Sequence, residues 1–286
     1  MIIKTARQLK DKIANISGND SKKSQALIRK YMMERFLCRL SRSKYKDNFV
    51  LKGGMLVSAF VGVESRSTMD IDTTVKSIML TKENAEKIIR EIAEMDLDDG
   101  IIYEIKQAEE IMQEHDYSGV RLTVTAVLER LRDVIKIDIS TGDEIVPSAI
   151  EFSYPAMFDN EKINIWSYNI ETVLAEKLET VVARSTLNTR MRDFYDIHTL
   201  WNEKSEKINE DVLRSATLNV ARKRGTLKYF ESIDEILDEI GNSEYLQNYW
   251  NNYKKSNYYV GGLTWQTVVK TTADILKKTI AIGAVV

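Results

Sequence analysis

Apolar residues along the first half of the chain change period several times, and each change predicts an element. Between 21 and 43 they recur at helical spacing, with Leu27, Tyr31, Phe36, Leu37 and Leu40 on one stripe, which predicts an amphipathic helix. A short apolar run over 47–51 is broken by Gly53-Gly54, and 55–60 reads as the start of another helix. Over 70–75 the period drops to two: Asp70 and Asp72 share one face of a strand and Ile71 takes the other. Residues 82–95 return to helical period behind Thr81, a ready N-cap. Strands follow at 120–127 and 134–139, both alternating.

The only prolines, Pro147 and Pro155, bracket TGDEIVPSAIEFSYP, and this stretch over 141–155 is the predicted linker. Beyond about residue 170 the helical period is nearly continuous, with helices expected at 170–185, 190–201, 210–222, 232–240, 244–252 and 265–278. The pattern therefore predicts an α+β chain. Residues 1–150 form a core with a small mixed sheet and flanking helices, and residues 151–286 form a mostly helical domain. No internal repeat or low-complexity segment stands out.

Composition narrows the chemistry. Hydrophobic residues make up 43% of 286 and charged residues 29%, an ordinary globular mixture that excludes a disordered chain. Cys38 is the one cysteine, which excludes an internal disulfide and a Cys-rich zinc site; His115 and His198 are too few for a His cluster. Any metal must then be held by carboxylates, which suits a hard cation such as Mg²⁺. No run reaches the roughly 18 apolar residues of a membrane span and no signal peptide opens the chain, so a cytoplasmic protein without a membrane partner is expected. A net charge of -2 excludes a wholly basic surface but leaves room for a local basic groove.

Candidate chemistry concentrates in LKGGMLVSAFVGVESRSTMDIDTTV, residues 51–75. Two glycines leading into a helix let a phosphate approach the backbone and meet the helix N-terminus. Asp70 and Asp72 at i and i+2 point the same way. Two unit charges about 4 Å apart repel by roughly 1 kcal/mol in water and about 4 at an effective dielectric of 20, and a divalent cation reverses the sign. Either feature alone is explained better by a bland reading, a common turn or a solvated strand face. A third piece is VIKIDIS over 134–140, where Lys136, Asp138 and Ser140 face away from three isoleucines. Beside the Asp70 strand, Asp138 would become a third carboxylate at the same point.

Gly53-Gly54, a helix, Asp70-x-Asp72 and a later strand Asp138 resemble the nucleotidyltransferase superfamily of DNA polymerase beta. ERFLCRLSRSKYKDNFVLKGG (34–54), RSTMDID (66–72), LAEKLETVVAR (174–184) and MRDFYDI (191–197) narrow this. In that order they resemble AbiEii/AbiGii-type toxin nucleotidyltransferases of bacterial abortive-infection and toxin–antitoxin systems. The resemblance spans roughly 24–200; the last third of the chain carries no matching motif.

The resemblance implies a polymerase-beta-like core and a role for each matched residue. Gly53 and Gly54 touch the triphosphate, and Asp70 and Asp72 hold catalytic Mg²⁺, with Asp138 as the superfamily's third carboxylate. Thr68 stands where relatives often carry a serine, close to metal and nucleotide. Lys177 matches a functional lysine, and Asp193, within Arg-Asp-x-x-Asp, a further essential acid. The implied activity is transfer of a nucleotide from an NTP, with GTP or CTP expected, to an acceptor such as the tRNA 3′ end. The implied setting is growth arrest in antiviral defence, with a cognate DNA-binding antitoxin that need not bind the toxin. One departure is the gap between Gly54 and Asp70, longer than the general superfamily spacing, which loosens the assignment of loop residues to the nucleotide.

Read from the residues alone, Lys177, Val181 and Arg184 share a helical face, so a cationic pair can meet phosphates; surface pairs with Glu171, Glu176 or Glu179 explain the same residues. Asp193 and Asp196 can likewise pair with Arg190 and Arg192 along their helix. Basic and aromatic residues interleave at 221–230 and 250–259, which fits either an RNA contact or tyrosines packing a bundle. Cys38 is expected as a small buried residue, His198 as a helix residue and His115 in a loop. Two other functions compete: nucleotidylation of protein, with Thr68 or a tyrosine accepting, and a nucleotide-binding regulator without turnover.

Overall fold

The computed structural model describes residues 3–62, 66–111, 119–158 and 162–280. The chain forms two units, one of Met1–Ala59, Ser67–Asp143 and Ile150–Ser167, the other of Phe60–Arg66, Glu144–Ala149 and Tyr168–Val286.

The first unit runs α1 (Ala6–Ser17), α2 (Ser21–Arg42), β1 (Phe49–Lys52), α3 (Gly53–Val61), β2 (Asp70–Val75), α4 (Lys82–Ala93), β3 (Ile101–Ile111), β4 (Gly119–Leu128), β5 (Leu131–Thr141), β6 (Ile150–Pro155) and β7 (Lys162–Ser167); the last residues of α3 belong to the second unit. The strands make one seven-stranded mixed sheet in the order β3-β4-β5-β2-β1-β7-β6. β2 pairs parallel with β5, and β1 with β7, while the other neighbours are antiparallel. Period-two alternation makes the sheet two-faced. Ile71, Leu122, Val124, Ile135, Ile137 and Ile139 are fully buried on one face. α2 lies on that face, as the edge-on contact of Phe36 with Tyr103 at 5.5 Å shows, and α4 covers β3 and β4. Asp70, Asp72, Lys136 and Asp138 necessarily occupy the other face.

β2 and the Thr81 cap of α4 match their expected positions; the Thr81 hydroxyl accepts from Asn84 N at 3.1 Å. α2 departs from expectation. It is buried on nearly every side from Leu27 to Leu40 rather than along one stripe. Its charges survive burial because each has a partner: Lys30 meets Glu34 at 2.9 Å, and Arg35 and Arg39 grip Asp99 at 2.7 and 2.8 Å. The stretch read as a linker, 141–155, instead closes β5, passes through Glu144–Ala149 and supplies β6. Its IEFSY alternation is that of an edge strand, where Pro155 is tolerated at the strand end.

The second unit holds α5 (Ile170–Arg184), α6 (Met191–Lys204), α7 (Glu210–Lys223), α8 (Ile233–Asn242), α9 (Glu244–Ser256) and α10 (Trp265–Thr279), all close to the expected helices. Asn169, Asn209, Ser243 and Thr264 cap four of them through side-chain oxygens. Trp265 packs against Phe194 at 4.8 Å and Trp250 at 6.1 Å. Tyr253 and Tyr259 stack around Tyr195, so these aromatics of 250–259 serve the bundle, whereas Tyr245, Tyr249 and Tyr258 are exposed. Cys38 is buried, His198 bonds Thr271 at 2.8 Å, and His115 lies outside the described residues. Among the described residues no helix is long and apolar enough to cross a membrane.

Candidate active site

The β1–α3 turn exists to approach Asp72. Gly53 adopts φ +64°, and a Cβ built there would sit 2.0 Å from Asp72 Oδ2. The residue must be glycine for both reasons. Gly54 N, one of the unsatisfied donors at the start of α3, donates to the same oxygen at 3.2 Å. The immediate partner of the glycine turn is therefore the second aspartate of Asp-x-Asp, which it fixes in place.

Strand register lays a polar row across the open face. Lys52 on β1 lies opposite Asp72 on β2, Asp72 opposite Asp138 on β5, Asp138 opposite Arg121 on β4, and Arg121 opposite Glu109 on β3. Arg121 donates Nε and Nη2 to the two Asp138 oxygens at 2.8 and 2.6 Å. That hydrogen bonding holds the guanidinium well above its usual range against partial burial, and the charges of Asp138, Asp70 and Glu109 add to it. Lys52 pairs with Asp143. Asp70 lies one row along, opposite Lys136. Thr68 is buried, its hydroxyl 3.4 Å from Asp70 O and 3.5 Å from Asp70 N, so it braces the start of β2.

Asp70 and Asp72, both half-buried on one strand face, are hard oxygen donors of the kind a divalent cation takes. Among the described residues no three His, Cys, Asp or Glu side chains gather as a metal site. A Mg²⁺ site does not need them: it uses one or two carboxylates, with water and substrate phosphates completing the shell. The donor set present fits.

A second cluster forms within the helical unit. Lys177 Nζ on α5 lies 2.9 Å from Asp193 Oδ1 and 2.8 Å from Asp196 Oδ2, both on α6. Arg66 Nε lies 2.7 Å from Asp196 Oδ1, and Arg190 Nε 2.9 Å from Asp193 Oδ2. Burial pushes the Asp196 carboxyl up, but Arg66 and Lys177 overcome it and hold the group down at about 2. Burial likewise lowers Lys177, and the two aspartates more than reverse this. Asp193 pairs with Arg190 as expected. Asp196 does not use Arg192, which is exposed; its partner Arg66 stands 130 residues earlier. Lys177 makes no surface pair: Glu176 and Glu179 go to Arg224, and Glu171 accepts from Asn209 N. Arg184 is exposed at the last turn of α5. Arg121, Arg66 and the central place of Asp196 are the features sequence reasoning missed.

The chain carries Asp-x-Asp on a mixed sheet beside a glycine-led helix, with a helical unit following, and the family comparison places it among nucleotidyl-transferring enzymes; the solved structures show a likeness of fold. It is similar to JHP933 from Helicobacter pylori, with 16% identity and a TM-score of 0.52, covering 89% of this chain and 91% of that one. It is also similar to an antigenic nucleotidyltransferase-like protein from Paracoccidioides brasiliensis, with 15% identity and a TM-score of 0.41, covering 69% and 90%. No curated protein matches. The family model for the nucleotidyl transferase AbiEii toxin of type IV toxin–antitoxin systems matches residues 35–271, and the chain belongs to that family.

Gly53→Ala is expected to lose about 2 kcal/mol of stability, from a strained backbone and a displaced carboxylate, together with most transfer activity. Thermal melting and a turnover assay check it; a variant that melts and turns over like wild type would remove the close approach from the argument.

Proposed function

We propose that this AbiEii-family enzyme transfers a nucleotide from an NTP, GTP or CTP, to an RNA acceptor such as the tRNA 3′ end, with Mg²⁺ bound at Asp70 and Asp72. The observation that carries the reading is the Gly53–Gly54 turn locked onto Asp72, with Asp70 on the same open strand face. When bound, the cation supplies positive charge that offsets the charge on the phosphates. The protein's own share is positioning. The Gly54 N–H and the Gly53 backbone hold the Asp72 carboxylate in one orientation, and Thr68 braces the strand start on which Asp70 sits. Preorganised groups of this kind do not have to reorient as the reaction proceeds.

Within the helical unit, Lys177 supplies cationic charge for phosphate, with Arg184 on the same helix, and Asp193 orients the lysine. The 2.9 Å Lys177–Asp193 contact supports the orienting role. A DNA-binding antitoxin acting without direct contact, a cytoplasmic location and a part in antiviral defence complete the reading. Nucleotidylation of Thr68 itself is disfavoured, because that hydroxyl is buried and turned to backbone.

The test is incubation with each α-labelled NTP, Mg²⁺ and total bacterial tRNA. Label is expected on RNA from one nucleotide. Label on protein alone would replace RNA with a protein acceptor. NTP binding with no label anywhere would leave a regulator.

A further inference from the structure

The cations flanking Asp70 and Asp72 on the sheet face differ in one respect. Lys52 pairs with Asp143 and Arg121 with Asp138. Lys136 of β5 lies directly opposite Asp70 in the parallel β2–β5 register. Ile135 and Ile137 on either side of it are fully buried, so the half-buried Lys136 side chain takes the carboxylate face. A lysine directly across from an aspartate ordinarily pairs with it. Among the described residues no side chain pairs with this ammonium, Asp70 included. The row continues through half-buried Thr123 on β4 to exposed Gln107 on β3, and Val134, two residues back along β5, is exposed as well. Lysine, hydroxyl and amide side chains are those that hold phosphate and sugar, and this row presents no aromatic ring for a base to stack on.

Place in the sheet decides which phosphate the lysine meets. The Gly53–Gly54 turn, the triphosphate side on the reading above, follows β1, one neighbour of β2; Lys136 stands on β5, the other neighbour. In nucleotidyl transfer the acceptor oxygen bonds the α-phosphorus as the bond to the leaving pyrophosphate breaks, and the hydroxyl proton passes to solvent. Entering and leaving oxygens lie roughly in line, on opposite sides of the phosphorus. With the leaving group toward β1, the acceptor arrives over β5. We propose that Lys136 binds the acceptor, its ammonium meeting a backbone phosphate of the RNA beside the reacting hydroxyl. The inference deepens the RNA-acceptor reading given above and rests on it.

Transfer of label to tRNA is measured at varied tRNA and at varied NTP, with wild type beside Lys136→Gln and Lys136→Arg. Lys136→Gln is expected to raise KM for tRNA about tenfold, the loss of one charge-assisted contact, and to leave KM for NTP within about twofold. Lys136→Arg, which keeps the charge, should return KM for tRNA to within about threefold of wild type. Fluorescence anisotropy of labelled tRNA on the full-length protein, without NTP, gives a readout independent of turnover. There Lys136→Gln should weaken binding and make the dependence of log Kd on log salt shallower by about one. A tRNA KM and salt slope like those of wild type, or a rise in KM for NTP instead, would overturn the assignment of Lys136 to the acceptor. Should Lys136→Gln fail to fold, Lys136→Thr, suited to a strand face, takes the same measurements. Wild-type protein that labels no RNA would remove the RNA-acceptor reading itself, and the inference with it.

Discussion

Asp72→Asn is expected to reduce nucleotide transfer at least about a thousandfold while leaving the protein folded. The two halves of this expectation have separate causes. Asparagine keeps the shape of aspartate and can still accept the Gly54 N–H through its amide oxygen, so the contact that closes the β1–α3 turn persists. What it removes is one of the two negative charges on the β2 face, and with it the attraction that, on the proposed reading, would hold a divalent cation. The row around Asp72 cannot make up the loss, because Lys52 is paired with Asp143 and Asp138 with Arg121. Turnover of labelled NTP, beside a melting scan within about 2 °C of wild type, measures both halves. Activity within tenfold of wild type would remove Asp72 from the chemistry, and activity lost together with the fold would make its role structural. Asp138→Asn is the informative companion, since there the substitution also takes from the Arg121 guanidinium the carboxylate it grips.

How much of this was readable in advance depended on how local each cause is. β2 was legible to the residue because the Asp-Ile-Asp alternation is written in six consecutive positions with Ile71 fully buried between two half-exposed carboxylates. Helices of the second unit were legible because their apolar stripes repeat within single segments. β3 went unread since its pattern breaks at a bulge between Ile105 and Gln107, and an edge strand buries few positions on which to register a period. β6 was hidden by the prolines, Pro147 just before it and Pro155 at its end. Arg121 could have been found: β4 and β5 form a hairpin closed by Glu129-Arg130, and seven residues outward from Leu128 and Leu131 stand Arg121 and Asp138. No such signal existed for Arg66. Nothing local distinguishes an arginine before a strand from any other, and its carboxylate partner lies across 130 residues of chain. Asp196 was misread for the same reason, since the helix offered Arg192 as an easy local partner while the fold supplied a buried one.

That buried partner sets a large expected stability effect. Asp196→Asn takes from the Arg66 guanidinium, 1% exposed, the carboxylate charge it bonds, and reduces the neutral set Arg66, Lys177, Asp193 and Asp196 to one with a net positive charge. Breaking a buried pair from one side costs about 3–5 kcal/mol, because the stranded charge keeps its desolvation penalty and loses its attraction. For a chain of this size that corresponds to a melting temperature lower by about 10 °C. Replacing both partners, as Asp196→Asn with Arg66→Met, should recover much of the loss, since a neutral pair of similar volume has no charge to desolvate. A double variant no more stable than the single one would mean that Arg66 acts through packing rather than through charge. The pH dependence follows with a defined sign. The Asp196 carboxyl titrates at about 2 in the folded protein, against 3.8 when free of its partners. Its stabilisation is therefore fully present above about pH 4 and is lost as the pH falls toward 2. Asp196→Asn should flatten that part of the acid limb, and an unchanged slope between pH 4 and 2 would show that other carboxylates govern it.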